Sequence, residues 1–414
     1  MTRKILYACL AALLLVSEDS YAWDLSAGGF LQGNYSLGID GSNPDGGDFK
    51  WGEERGQLKL EGAKEPLRLF LKADISFDHL DRNGEVEPRE AYIDLTRQRW
   101  DLRAGRQIIT WGLGDLIFIN DVFPKDYEAF FSGRPLEYLK IGVDAMKAGF
   151  YPDIASFELV VIPFFEPNNF PDPNRFWTFD PLPDVGDRTQ KEPASNLKNT
   201  EVALRAYRDI AGFDASVYLY KGFYRAPSLV PDSLTSTTRI DFIYPELSVY
   251  GVSLQRSALA GVVGLEAGYY DSLDDRDGTD PLIPNSQTRF LLSYQRQFIE
   301  DFSVTVQYYG EYTYDYSEYE STHIAGFPKE PRFRDLTSLR MTYLLMRQNL
   351  RLQWFSFWSP TDKDYLFNPE AKYNFSDSVW AALGANIFGG KKDTTQFGSL
   401  DRNDNIYIQA RYEF

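Results

Sequence analysis

Apolar and polar residues alternate with a period of two along most of the chain. Leu67, Leu69, Leu71, Ala73, Ile75 and Phe77 interleave with Arg68, Phe70, Lys72, Asp74, Ser76 and Asp78. Phe213, Ala215, Val217 and Leu219 interleave with Asp214, Ser216, Tyr218 and Tyr220, and Phe302, Val304, Val306 and Tyr308 with Ser303, Thr305, Gln307 and Tyr309. Side chains of a strand point to opposite faces in turn, so each stretch predicts a strand with one face for an apolar medium and one for a polar one. The C-terminus is the clearest case, with Ile406, Ile408, Ala410, Tyr412 and Phe414 on one face and Tyr407, Gln409, Arg411 and Glu413 on the other. Such segments reach the roughly 9–11 residues a tilted strand needs to cross a bilayer. A soluble sandwich would have to bury all these apolar faces against one another, and little chain is left over to cover them. A closed barrel turns them to lipid and leaves no strand edge.

Short connections alternate with long polar ones. The short ones fall near Gly62–Pro66, Trp100–Asp101, Pro152–Asp153, Asp209–Gly212, Arg256–Leu259, Ile299–Asp301, Arg347–Asn349 and Phe375–Ser378. The long ones fall near Asp40–Asp48, His79–Gly84, Leu113–Tyr138, Phe165–Lys198, Arg225–Arg239, Asp271–Ser286, Thr313–Asp335, Ser359–Lys363 and Gly389–Asp404. About eight periplasmic turns and about nine outer loops predict an all-β transmembrane antiparallel barrel of about eighteen strands, or about sixteen if one hairpin is miscounted. Phe213, Phe298, Phe302, Phe375 and Phe414 toward the turns, and Phe77, Tyr269 and Tyr308 toward the loops, suit two interfacial girdles.

Mean hydropathy of −0.38 and a formal net charge of −17 look soluble, but only alternate barrel residues meet lipid, so averages conceal such proteins. The start of the chain reads as a secretory signal over residues 1–22: Arg3 and Lys4, an apolar Ile5–Val16, and Ser20-Tyr21-Ala22 as the cleavage site, leaving Trp23 first. Cys9 lies too early in that apolar stretch to mark a lipoprotein, and without it the mature barrel domain, 23–414, has no cysteine chemistry. The acidic balance argues against nucleic acid as a partner. The expected surroundings are outer-membrane lipids and lipopolysaccharide, with the barrel a monomer or a homotrimer.

The face opposite the apolar one is heavily charged. Arg68, Lys72, Asp74, Arg103, Lys140, Asp144, Arg205, Lys221, Arg289, Arg340 and Arg351 are read as facing the interior. Burying such charges dry would be prohibitive, whereas a water-filled lumen removes most of the cost and gives a field that orients polar solutes. Leu113–Tyr138 carries Leu116-Ile117-Phe118-Ile119 and Phe130-Phe131, so it is expected to fold inward and narrow the lumen. The Pro- and aromatic-rich Phe165–Lys198 is a second constriction or an extracellular lid. His79 beside Asp78, and His323, come with no nucleophile motif, so no enzyme activity is expected. Asp271, Asp274, Asp275, Asp277 and Asp280 lack calcium-loop spacing and read as a solvated loop, so neither metal nor cofactor is expected.

Gly105-Arg106-Gln107-Ile108-Ile109-Thr110-Trp111-Gly112, followed by Asn120-Asp121, Pro124 and Asp126-Tyr127, resembles a group of porin-like outer-membrane proteins with a G-R-Q-x-x-x-W-G strand end. In architecture the mature chain is similar to eighteen-stranded substrate-specific porins and alginate-export-like barrels. The resemblance implies facilitated passage of a particular polar solute or polymer without an energy source, with Arg106 at the strand end beneath the loop and Asp115 and Asp121 carried on it. Folded inward, the loop is expected to set Asp115 and Asp121, still hydrated, facing Arg106 and other inward cations across the narrowest section of a pore for small polar solutes. Interior charges of both signs do not suit a polyanion. Tyr412 and Phe414 in the last strand resemble the signal read by the barrel assembly machinery. The alternative from another class is a non-conducting scaffold or export barrel that works with periplasmic partners.

Overall fold

The computed structural model describes residues 23–414, and the expected signal segment lies outside them. In chain order the strands are β1 (Asp24–Gly38), β2 (Phe49–Lys64), β3 (Leu67–Asp78), β4 (Asn83–Arg97), β5 (Trp100–Gln107), β6 (Val143–Phe150), β7 (Ser156–Ile162), β8 (Asp187–Lys191), β9 (Glu201–Ile210), β10 (Phe213–Phe223) and β11 (Ser228–Pro231). There follow β12 (Arg239–Ile243), β13 (Glu246–Ala258), β14 (Gly261–Ser272), β15 (Gln287–Ile299), β16 (Phe302–Thr313), β17 (Phe333–Leu345), β18 (Leu350–Ser359), β19 (Asp364–Asn374), β20 (Val379–Gly390) and β21 (Asn405–Glu413). All but β8, β11 and β12 form one 18-stranded sheet of antiparallel neighbours. It closes where β21 pairs with β1, from Phe30–Glu413 to Gly38–Asn405. The strand number is the one expected from the alternation of short and long connections.

The alternation decides what faces where. On β21, Ile408 and Tyr412 are about half exposed on the outer face, while Tyr407 and Gln409 are buried inside. Leu265 and Tyr269 on β14 are exposed outward, and Glu266 and Tyr270, each the next residue along, are buried inward. An apolar outer face exposed all round a closed barrel is stable only against lipid. No helix among the described residues is long and apolar enough to cross a membrane.

The short turns are tight. Ala211 and Gly212 join β9 to β10 with φ of 55° and 79°, both positive as a two-residue hairpin of matching twist requires. One boundary differs from the expectation: Trp100 and Asp101 pair with Arg97 and Thr96 and open β5, so the turn is the preceding pair of residues. Lys221 also differs. It shares the outward parity of Val217 and Leu219, at the long-loop end of β10, and is exposed. It continues the odd-numbered row of Val217 and Leu219, so the parity pointed outward and its charge alone suggested the interior.

Two connections leave the wall. Residues 108–142, between β5 and β6, run inside the barrel and include a short helix, α1 (Tyr127–Phe131), capped by the Asp126 side chain accepting from the Ala129 amide. Residues 163–200, between β7 and β9, form a lid at the long-loop end, where β8 pairs in parallel with β12, which pairs with β11.

Candidate constriction and vestibule

The G-R-Q-x-x-x-W-G segment is where the chain departs from the wall, and its glycines are there for steric reasons. Gly105 has φ of 128°, and a Cβ on it would lie 2.2 Å from the Ala91 carbonyl oxygen. Gly112 has φ of 81°, with the Glu266 carboxylate 2.6 Å from where its Cβ would be. Both positions exclude other residues. Between them Trp111 turns into the lumen, buried edge-on against Phe123, 5.2 Å between ring centres, and near Tyr218 on β10.

From there the segment is held by wall after wall. Glu266 on β14 accepts hydrogen bonds from the amides of Leu113 (2.6 Å) and Asn120 (2.8 Å) and from the Asn120 side-chain Nδ2 (3.0 Å). Tyr270 on β14 donates to the Ile119 carbonyl at 2.5 Å. Asp115 pairs with Arg340 on β17, at 2.5 and 2.9 Å. Phe131 packs against Phe388, and its carbonyl accepts from Asn386 on β20 and Asn405 on β21. Gln409 on β21 donates to the Gly133 carbonyl, and Tyr138 donates to Asp74 on β3. Ile119, Phe123, Phe130, Phe131 and Leu139 join inward wall residues such as Val249, Leu291 and Phe355 in one buried cluster. The apolar content of the segment thus has its burial inside the barrel.

Inward glycines make room for it. A Cβ on Gly251 would fall 1.6 Å from the Asn120 Oδ1, and one on Gly268 would fall 2.9 Å from Ile119. Gly251→Val is therefore expected to leave the barrel folded while raising amide exchange across residues 113–125 by about tenfold or more. Hydrogen-exchange mass spectrometry checks this, and unchanged exchange would contradict the groove.

The charged residues fall into separate groups. Toward the short turns, Arg103 holds Asp94 at 2.6 Å and Arg68 holds Glu61 at 2.8 Å. Asp74 is fully buried between Arg55 (2.6 Å) and Gln57 (2.8 Å). Arg205 pairs with Glu158 at 3.5 Å, Arg289 with Glu311 at 3.1 Å and Arg351 with Glu370 at 2.7 Å. Lys72 shares the inward face of β3, opposite Lys59 and Glu90, and no ion pair of its own is present among the described residues.

Two expectations are corrected here. Arg106 and Asp144 are cross-strand neighbours in the row next to Ala104 and Met146, and Met146 is exposed on the outer face. They therefore share the outward parity, and Arg106 pairs with Glu166 at 3.3 Å rather than with Asp115 or Asp121. Burial pushes the Glu166 carboxyl up, and the Arg106 charge pulls it back. Asp121 meets Lys125 (3.0 Å) and Lys140 (3.4 Å) instead, and is only 5% exposed. It is thus the counter-charge of a buried lysine and not a hydrated group; burial draws Lys125 below its usual range, opposed by Asp121.

Sequence reasoning missed Glu266, Arg55, Asn386, Asn405 and Gln409. Each lies on the inward parity of its strand, so the alternation contained the signal. What it could not contain was that the infolded backbone would need their side chains as partners.

The lid closes over this segment. Asn169 exchanges backbone hydrogen bonds with Lys125 (2.9 Å) and Tyr127 (2.8 Å). Farther along, Arg175 reaches Asp78 at the end of β3 and Asp81 just after it, at 2.9 and 2.5 Å, and Trp177 bonds Asn403 just before β21. Between lid, segment and wall lies a vestibule of about 940 Å³, bordered by Phe118, Tyr127, Phe170, Phe242 and Tyr270. On the other side of the segment is a chamber of about 300 Å³ bordered by Arg134, Arg351, Lys372 and Arg411 with Glu137 and Glu370. Tyr412 and Phe414 stand exposed on the outer face, and the Phe414 backbone pairs with Gly29.

A closed barrel with an apolar exterior and a lumen occupied by its own infolded segment defines the class, a transmembrane β-barrel of the outer-membrane architecture. The same fold is found in solved structures of OccK2 (OpdF) of Pseudomonas aeruginosa in complex with glucuronate (TM-score 0.57, 9% identity, 94% of this chain and 98% of that one). It is also found in OccD3 (OpdP) of Pseudomonas aeruginosa (0.56, 10%, 94% and 91%) and OccAB1 of Acinetobacter baumannii (0.55, 9%, 94% and 96%). No protein-family model and no curated protein sequence matches the chain.

Proposed function

We propose that the protein is an outer-membrane channel through which small polar solutes pass passively, narrowed by the segment Leu113–Tyr138. The observation that carries this reading is that segment itself, seated within an eighteen-stranded barrel between an outer vestibule and an inner charged chamber. A barrel of this strand number is wide enough for an aqueous interior, and a structurally similar protein was crystallised with a small polar solute, glucuronate. No energy source or cofactor enters the scheme. In this reading the long loops face outward, the short turns face the periplasm, and Tyr412 and Phe414 are what the assembly machinery reads.

Arg68, Lys72, Asp74, Arg103, Arg205, Arg289, Arg340 and Arg351 line or support the path, together with Asp115, Asp121 and Lys140. Of these, the Asp115–Arg340 pair bridges segment and wall while keeping Asp115 about a third exposed, so its charge acts on passing ions. Asp115→Asn leaves Arg340 uncompensated and is expected to shift permeability toward anions by about twofold or more. Reversal potentials in a salt gradient measure this. An unchanged ratio would remove Asp115 from the path.

A further inference from the structure

The outer vestibule has the wrong lining for a site that recognises a strongly charged solute. Phe118 and Tyr127 rise from the infolded segment, Phe170 and Phe179 hang from the lid, Phe242 comes from the small sheet and Tyr270 from the wall. Tyr127 and Phe170 stack across the gap between segment and lid, 5.6 Å between ring centres. The cations that border the cavity are each already neutralised by the protein: Lys125 by Asp121 (3.0 Å), Arg188 by Asp180 (2.5 Å), Arg225 by Glu201 (2.6 Å) and Arg289 by Glu311 (3.1 Å). Asp172, also on the border, makes no ion pair among the described residues. An anion entering here would gain no free counter-charge and would meet a carboxylate.

We infer that the vestibule binds an uncharged solute with an aromatic or otherwise apolar ring body, its polar substituents meeting the amides and hydroxyls of Asn168, Gln190 and Ser399. A concave cavity of this size, mostly apolar with a few polar groups at its edge, suits a ligand of that kind. The rings of Phe118, Tyr127, Phe170 and Phe179, carried on segment and lid, offer it an aromatic wall to stack on. Because Tyr127 belongs to the segment and Phe170 to the lid, the ligand touches both elements that stand over the lumen. The inference rests on the channel reading and narrows its polar solutes to uncharged ones whose polar groups are carried on a ring body, which sets this vestibule apart from a glucuronate site.

The test uses the full mature barrel in lipid nanodiscs, with empty nanodiscs as the background for partitioning. Saturable binding of 2-naphthol is compared with that of 2-naphthoate and glucuronate, and potassium chloride conductance is recorded on the same preparation. The expected result is that 2-naphthol binds at least about tenfold more tightly than either anion. The double variant Phe170→Ala/Phe179→Ala, confined to the lid, should weaken 2-naphthol by about tenfold or more while conductance persists. Tighter binding of either anion, an unchanged affinity in the double variant, or conductance without saturable 2-naphthol binding would overturn the inference. Selective 2-naphthol binding without any conductance would support the site and instead remove the channel reading.

Discussion

Deleting Asp115–Ser132 is expected to raise single-channel conductance about threefold or more and to weaken ion selectivity. The deletion takes out the apolar side chains that fill the lumen, Ile119, Phe123, Phe130 and Phe131, while residues 108–114 and 133–142 remain long enough to join the neighbouring strands β5 and β6. Barrel pairing is continuous without the segment, so the wall should still close, and an emptied barrel of this size is a wide aqueous pore. Conductance in planar bilayers checks the result. If a folded deletion variant conducted and selected as the parent does, the segment would lie outside the path and Phe165–Lys198 would have to hold the gate.

Glu266→Ala is expected to loosen the same segment with a single substitution. Glu266 is 1% exposed and accepts from two amides and one side-chain amide of the segment. Leaving those donors buried and unpaired costs about 1–3 kcal/mol each, enough to favour states in which residues 113–120 swing away from β14. Recordings should then show frequent transitions to a higher conductance level, and proteolysis should cut within the segment. Glu266→Gln keeps one acceptor oxygen and should fall between parent and alanine variant. Quiet, parent-like traces from Glu266→Ala would mean that the Tyr270 and Arg340 contacts hold the segment unaided.

Strand number, closure and facing of most residues were legible because lipid imposes a strict period of two. On β21 the parity of Ile406 to Phe414 is the one observed. Legibility failed where that constraint ends. Lys221 lies at the tip of its strand, where outward residues leave the apolar band. Asp144 lies one residue into β6, after a long connection that reset the parity, and Arg106 follows a glycine with positive φ. The inward course of Leu113–Tyr138 was readable from its aromatics, but its partners were not, because they come from strands distant in sequence: Asp115 finds Arg340 and Phe131 finds Asn386 and Asn405. The paired state of the vestibule cations, likewise, is a matter of tertiary geometry alone.

The most direct test of a lumen narrowed by its own chain is single-channel recording of the purified mature barrel beside the Asp115–Ser132 deletion in the same bilayers. The account predicts discrete openings in the parent and larger, less selective ones in the deletion. Absence of conductance from both, with the barrel shown to be folded, would contradict it and leave a non-conducting scaffold as the function.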